Sequence, residues 1–261
     1  MIITTNESHK FKKESCAGND QYAIIPAFAA AGVAHAFTTR LNGLGARNSG
    51  SKAPGDWNAV ADMCGIGHDK LVTVNQVHED AILSVDENNY PDVKKQSADA
   101  LITASPGIAI GVETADCVPI LLFDPSTPAI AAVHAGWRST VKKIVLKSVQ
   151  KMQAEYGSDP SRMIAAIGPA IGPECYEVDE VVMGPVRAAF LFWEEAAHAR
   201  GNDRWSLDLA RLNARELMRI GLQERNVHSL GLCTSCNRDR FYSFRAEGRT
   251  GRMLSVIMIR P

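Results

Sequence analysis

Three side chains of metal-ligand type, His78, Cys117 and His134, share one context. Each ends a stretch that reads as a strand and precedes a turn, in "VTVNQVH", "GVETADC" and "AIAAVH". Ends of neighbouring strands converge in space whatever their separation along the chain. Two imidazoles and a thiolate brought together in this way make a three-ligand site, and water in the fourth tetrahedral position completes the donor set of a catalytic zinc. The same residues have other uses. A Cys117–His134 nucleophile dyad needs the same pair, and a lone cysteine or a strand-end histidine also serves as plain packing.

The residues after His134 sharpen the choice. In "HAGWRST", Gly136 lets the backbone approach a ligand closely. A helix expected from about Thr140, with Ser139 or Thr140 as its N-cap, turns free N–H groups toward that glycine. Arg138 adds a planar fork matched to phosphate or carboxylate oxygens. Gly136, Arg138, Ser139 and Thr140 therefore read as an anion site beside His134, the alternative being a capped helix with a surface arginine. "CTSC", which holds Cys233 and Cys236, has no second CxxC or histidine pair nearby. It reads as packing or a loop thiol pair rather than a structural zinc site. "FYSFRAEGRTGR", with Arg245, Arg249 and Arg252, reads either as the wall of a pocket or as a polar hairpin.

The elements that must position these groups are mostly strands. Strands are expected at Val33–Arg40, on either side of His78 within Lys70–Val85, in Ala98–Ala104, within Gly107–Phe123, at Ala129–His134, in the Met163–Pro173 stretch, and at Met253–Ile259. The apolar period then changes: Val141, Ile144, Val145, Val149 and Met152 share one helical face, and Gly157 is a natural residue to end that helix. Glu180–Arg200 and Leu207–Ile220 read as two further helices. The first ~20 residues look loosely ordered, and the Gly-, Asn- and Ser-rich Leu41–Asn58 reads as a long loop. Strands come in groups and helices mostly late. The expected class is therefore α/β in a loose sense, with mixed sheets and flanking helices in one domain over residues 1–261.

Composition narrows the partners. The chain of 261 residues is 46% hydrophobic and 22% charged, with a net charge of -1. That balance gives no reason to expect nucleic acid or an anionic membrane as a partner, while a small anion needs only a local basic pocket. Six irregularly spaced cysteines in a chain long enough to build a core point to a reduced, cytoplasmic protein. The polar start "MIITTNESHKFKKES" lacks the apolar centre of a secretory signal, and no apolar run approaches the ~18 residues of a membrane span.

The segments "NQVHED", "ADALIT", "ETADCVPILLFDP", "AAVHAGWRST", "IGPAIGPECYEV", "CTSC", "FYSFR" and "GRTGR" occur in an order that resembles the multicopper polyphenol oxidase, or laccase-domain, family. That family also covers proteins described as purine nucleoside phosphorylases and as the peptidoglycan editing factor. The resemblance runs from about "HAFTTR" to the last strand. It implies a single α/β domain related to a cysteine-hydrolase toxin, with zinc ligands at His78, Cys117 and His134. One region departs from the family pattern: "RLNGLGARNSGSKAPGDWNAVADMCGI" replaces a Gly-rich segment followed by an Asn-Arg pair. Arg40 and Asn42 are the residues that stand in for that pair on the substrate side.

The family name suggests a copper oxidase, but a four-copper centre uses about ten histidines, many in His-X-His pairs. This chain has seven and no such pair. Copper at a single site stays open, since Cu2+ outcompetes Zn2+ at these ligands. The resemblance implies first a zinc-dependent purine nucleoside phosphorylase, using phosphate and adenosine, inosine or methylthioadenosine, with adenosine deamination as a second activity. In that reading Asp116 or Glu113 moves protons, and Cys117, His134, Asp116 and Arg138 carry the chemistry. The alternatives are an amidase that removes misplaced L-serine from a muropeptide precursor, a single-copper polyphenol oxidase, and a non-catalytic metal-binding module.

Overall fold

Apolar side chains at alternate positions of one strand face opposite sides of a sheet, and here both sides are covered. The structure, a computed structural model, describes residues 17–19, 22–41 and 57–261. One six-stranded sheet has the order β1–β2–β3–β15–β7–β4, from Ala17–Asn19, Tyr22–Ile24, Val33–Thr38, Met253–Ile259, Ala109–Thr114 and Leu71–Val72. The second has the order β14–β10–β8–β9–β6–β5, from Val227–Ser229, Ile164–Ile167, Val118–Asp124, Ala129–Ala135, Ala100–Thr103 and Ile82–Ser84. Leu121, Phe123, Ile130 and Ala132 of the second sheet pack with Phe37, Val72 and Ile110 of the first, so one core lies between the sheets.

Ile120, Leu122, Ala131 and Val133 face the other way. They meet a helical layer that includes α5 (Ile144–Tyr156), α6 (Glu180–Ala189) and α7 (Leu209–Arg219). The outer face of the first sheet is covered by α2 (Asn58–Cys64), through Val60 and Ala61. Two more short helices, α1 (Pro26–Ala30) and α3 (Tyr90–Val93), lie along the path. The double burial explains why β8 and β9 read as unbroken apolar runs rather than as alternating ones. Mixed sheets with flanking helices were the expected arrangement. No helix among the described residues is long and apolar enough to cross a membrane.

Two expected helices differ. The helix after His134 comes in two pieces: α4 (Trp137–Val141), then α5, separated at Lys143 by a left-handed φ of 65°. The first N-cap is Gly136, not Ser139 or Thr140, which are both buried inside α4. The Lys143 ammonium lies 3.4 Å from the buried Glu216 carboxylate of α7. The expected helix Glu180–Arg200 stops at Ala189. Ala197–Gly201 (β12) and Arg204–Leu207 (β13) form a hairpin that pairs with Glu177–Val178 (β11). Asn202 and Asp203 at its tip both have positive φ, the conformation a two-residue hairpin turn requires. Most of the loop Leu41–Asn58, including Asn42, and the chain before Ala17 lie outside the described residues.

Candidate active site

Strand register brings the three ligating residues together. In the antiparallel β8–β9 pair, Val118 faces Ala135 and Pro119 faces His134. Cys117 therefore falls opposite Gly136, one step past the paired ends. A methyl group at Gly136 would sit 3.2 Å from the Cys117 sulfur and 3.0 Å from His78 Cδ2, so the glycine is needed for space. His78 arrives on the loop between β4 and β5, with a left-handed φ of 61°. Gln76 anchors that loop: its side-chain amide donates to Glu113 O and accepts from Glu113 N, both at 2.7 Å, as a strand would.

Asp99 completes the positioning. Its carboxylate accepts the backbone N–H groups of Val77, His78 and Glu79 at 3.2, 2.9 and 2.7 Å, and lies 2.7 Å from His134 Nδ1. One buried carboxylate thus fixes the loop carrying His78 and the ring of His134. With Nδ1 turned to Asp99, Nε2 of His134 is left for the centre. Sequence reading missed Asp99. Its only signal is an acidic residue opening the apolar run "ADALIT", where a strand has no other use for a charge.

The donor atoms of His78, Cys117 and His134 all lie within 4.8 Å of one another. Cys117 Sγ is 3.9 Å from His78 Nε2, and the two imidazoles meet edge to face with centroids 4.8 Å apart. Burial pushes the Cys117 thiol up, but the charge and hydrogen bond of His134, with help from His78, outweigh it and bring the thiol down to about 6. For His134, burial acts downward and is outweighed by the Cys117 charge and the Asp99 hydrogen bond, which raise it to about 9. Without metal, these two opposite shifts favour a thiolate beside an imidazolium. A divalent cation would take the place of that proton, and two nitrogens with one sulfur are donors that zinc accepts. Among the described residues this is the only group of three ligating side chains that contains histidine. Among the described residues no further histidine joins this group.

The rim is basic and aromatic. Arg138 is exposed and its guanidinium stacks 4.4 Å from the Trp137 ring, which gives that tryptophan a role. Arg245, on α8 (Phe244–Glu247), lies 5.1 Å from the Tyr176 ring. Tyr176 is raised above its ordinary value, first by burial and then by the Cys117 charge, with Arg245 and Arg138 opposing, so both guanidinium groups and the thiol lie within electrostatic reach of this ring. "FYSFRAEGRTGR" carries a short helix, α8, rather than a hairpin.

The other expected site residues are placed as follows. Asp116 has φ 92° and accepts from Thr234 Oγ1 and from the Arg245 N–H, both at 2.6 Å, so it clamps the backbone beside Cys117. Glu113 accepts from the Trp57 indole at 3.1 Å. Thr140 Oγ1 accepts from Asn213 on α7, and Ser139 Oγ is buried without a hydrogen-bond partner among the described residues. Arg40 is held by Glu247 at 2.7 Å and by Arg238 O at 2.8 Å, with Tyr242 stacked against it. It braces the segment that carries Arg245.

The family model described as multi-copper polyphenol oxidoreductase laccase matches residues 30–260. The chain belongs to that family. A Deinococcus radiodurans relative named purine nucleoside phosphorylase is 37% identical, over 86% of this chain and 88% of its own. A protein from an unknown prokaryotic organism, named adenosine deaminase RL5, is 35% identical over 76% and 78%. Further relatives of this laccase-domain chain carry the phosphorylase name. Among solved structures, Bacillus licheniformis YfiH superposes with a TM-score of 0.85 at 29% identity, covering 93% of this chain and 97% of that one. The laccase-domain chain thus sits among relatives that are named as enzymes.

Proposed function

We propose that this chain is a zinc-dependent purine nucleoside phosphorylase acting on adenosine, inosine or methylthioadenosine, with adenosine deamination as a second activity. The observation that carries the reading is the His78–Cys117–His134 donor group, in a chain whose relatives bear the phosphorylase and deaminase names. Arg138 and Arg245 bind phosphate and orient it toward the ribose C1′. The helix α4 is five residues long, so its dipole adds little and the arginines carry the anion. Asp99 holds His134 in the tautomer that leaves Nε2 free, and Asp116 fixes the backbone of Cys117 and of Arg245. His78, Cys117 and His134 would hold Zn2+, which would supply Lewis acidity to bound substrate.

The test is a nucleoside panel assayed with and without phosphate, with metal content measured on the same sample. Phosphate-dependent release of free base and ribose 1-phosphate is expected, together with about one zinc per centre. Cleavage that ignores phosphate would instead make the chain a hydrolase. Absence of both purine release and zinc would remove the reading.

A further inference from the structure

A second group of ligating side chains lies apart from the His–Cys–His centre. Cys175, Cys233 and Cys236 bring their sulfurs within 4.8 Å of one another, from segments 58 and 61 residues apart. Two turns build the group. Gly172 O accepts from Cys175 N at 3.0 Å, and Cys233 is bridged to Ala170. Gly172 N donates to the Cys233 sulfur at 3.2 Å, and a methyl group at Gly172 would lie 3.4 Å from that sulfur. An N–H aimed at sulfur is a common support for a thiolate that binds metal. Asn237 closes the other turn, donating from Nδ2 to Cys233 O at 2.7 Å.

Packing does not account for this arrangement. A packing cysteine is buried among apolar groups, whereas Cys236 is exposed and Cys175 and Cys233 are half-buried. The sulfurs of Cys175 and Cys236 are 3.3 Å apart, well beyond the about 2.05 Å of a disulfide. No fourth His, Cys, Asp or Glu donor shares the group among the described residues. An all-sulfur, three-donor set selects soft cations. We propose that Cys175, Cys233 and Cys236 form a second metal site, for a thiophilic cation of the Zn2+ or Cu+ class.

The site would clamp two loops against the first centre. Thr234, inside "CTSC", donates to Asp116, the neighbour of Cys117. Tyr176, next to Cys175, feels the Cys117 charge, and Arg245 donates to Cys175 O at 3.3 Å. Loading the three sulfurs would hold both loops in register with Cys117.

Metal stoichiometry tests this without any assay of activity. Protein purified under reducing conditions is loaded with Zn2+, or anaerobically with Cu+, and desalted before elemental analysis. Two equivalents per chain are expected for the wild type, and one each for Cys233→Ser and Cys236→Ser. A His78→Ala/Cys117→Ala variant, which lacks the first centre, should keep one equivalent. With Co2+ it should show thiolate-to-metal charge-transfer absorption that adding Cys236→Ser abolishes. Cys236 is exposed, so its serine variant should keep the wild-type circular dichroism. A stoichiometry that neither cysteine substitution changes would overturn the proposal. So would a mass lower by two hydrogens, from a Cys175–Cys236 disulfide, with no second equivalent under reduction.

Discussion

The carboxylate of Asp99 lies 2.7 Å from His134 Nδ1 and at the same time accepts the N–H of His78, so one side chain holds two of the three ligands. Asp99→Asn keeps the volume and removes the charge. It also puts an N–H₂ where an acceptor is required, facing the three backbone donors and the imidazole. Metal affinity should fall about 10–100-fold, the usual consequence of removing such a support. A chelator-competition titration measures it. Unchanged affinity in the asparagine variant would show that the ligands hold themselves.

Gly136 offers a sharper steric test. Gly136→Ala needs no unusual backbone, since φ is -70° there. The added methyl would meet His78 Cδ2 at 3.0 Å and the Cys117 sulfur at 3.2 Å. The expected outcome is a folded protein with an unchanged melting temperature within a few degrees and phosphorolysis down about 10²-fold, the scale of a displaced reacting group. Paired thermal melts and initial rates decide it, and wild-type rates would show that His78 and Cys117 give way freely.

These two residues mark what was legible in the sequence and what was not. His78, Cys117 and His134 could be read because ligating side chains at strand ends are chemically conspicuous, and the β8–β9 register then brought Cys117 opposite Gly136. Asp99 was silent because its partners are backbone N–H groups, which leave no mark on side-chain types. Cys175 could not be joined to "CTSC", since only the fold closes the gap between them. The break at Lys143 was hidden by apolar spacing that continues through it. A left-handed lysine is uncommon, and this one is tied to Glu216, a contact of tertiary structure. The strand β12 was lost to a helical reading because its exposed residues carry no alternation, although "GND" was a turn signal.

Arg138 separates anion binding from chemistry at the centre. It is exposed and touches Trp137 rather than the three ligands, so Arg138→Ala should leave metal content unchanged. Loss of a charge-assisted hydrogen bond to phosphate costs about 1.5–3 kcal/mol, so the KM for phosphate should rise about 10–100-fold. Arg138→Lys should recover part of it, since the charge returns without the fork. Phosphate saturation curves for the three proteins test this, and an unchanged phosphate KM in the alanine variant would move the anion to Arg245 alone.

His35, on β3 away from the centre, is expected to contribute to acid stability. Its Nε2 accepts the Ile25 N–H at 2.7 Å, which requires the neutral ring. Burial lowers its pKa to about 4, against a weaker upward pull from Val33 O. Because the folded value lies below the unfolded value of about 6.5, the unfolded chain takes up the proton first. The contribution is therefore complete above about pH 6.5 and is lost as pH falls toward about 4. The loss amounts to about 2–3 kcal/mol between pH ~7 and pH ~4.5. His35→Gln keeps an acceptor for Ile25 and removes the titration. Urea unfolding at both pH values should show the wild type losing about 2–3 kcal/mol more than the glutamine variant, with carboxylate effects common to both cancelling in the difference. Equal losses in the two proteins would mean that His35 titrates in the folded protein as it does in the unfolded chain.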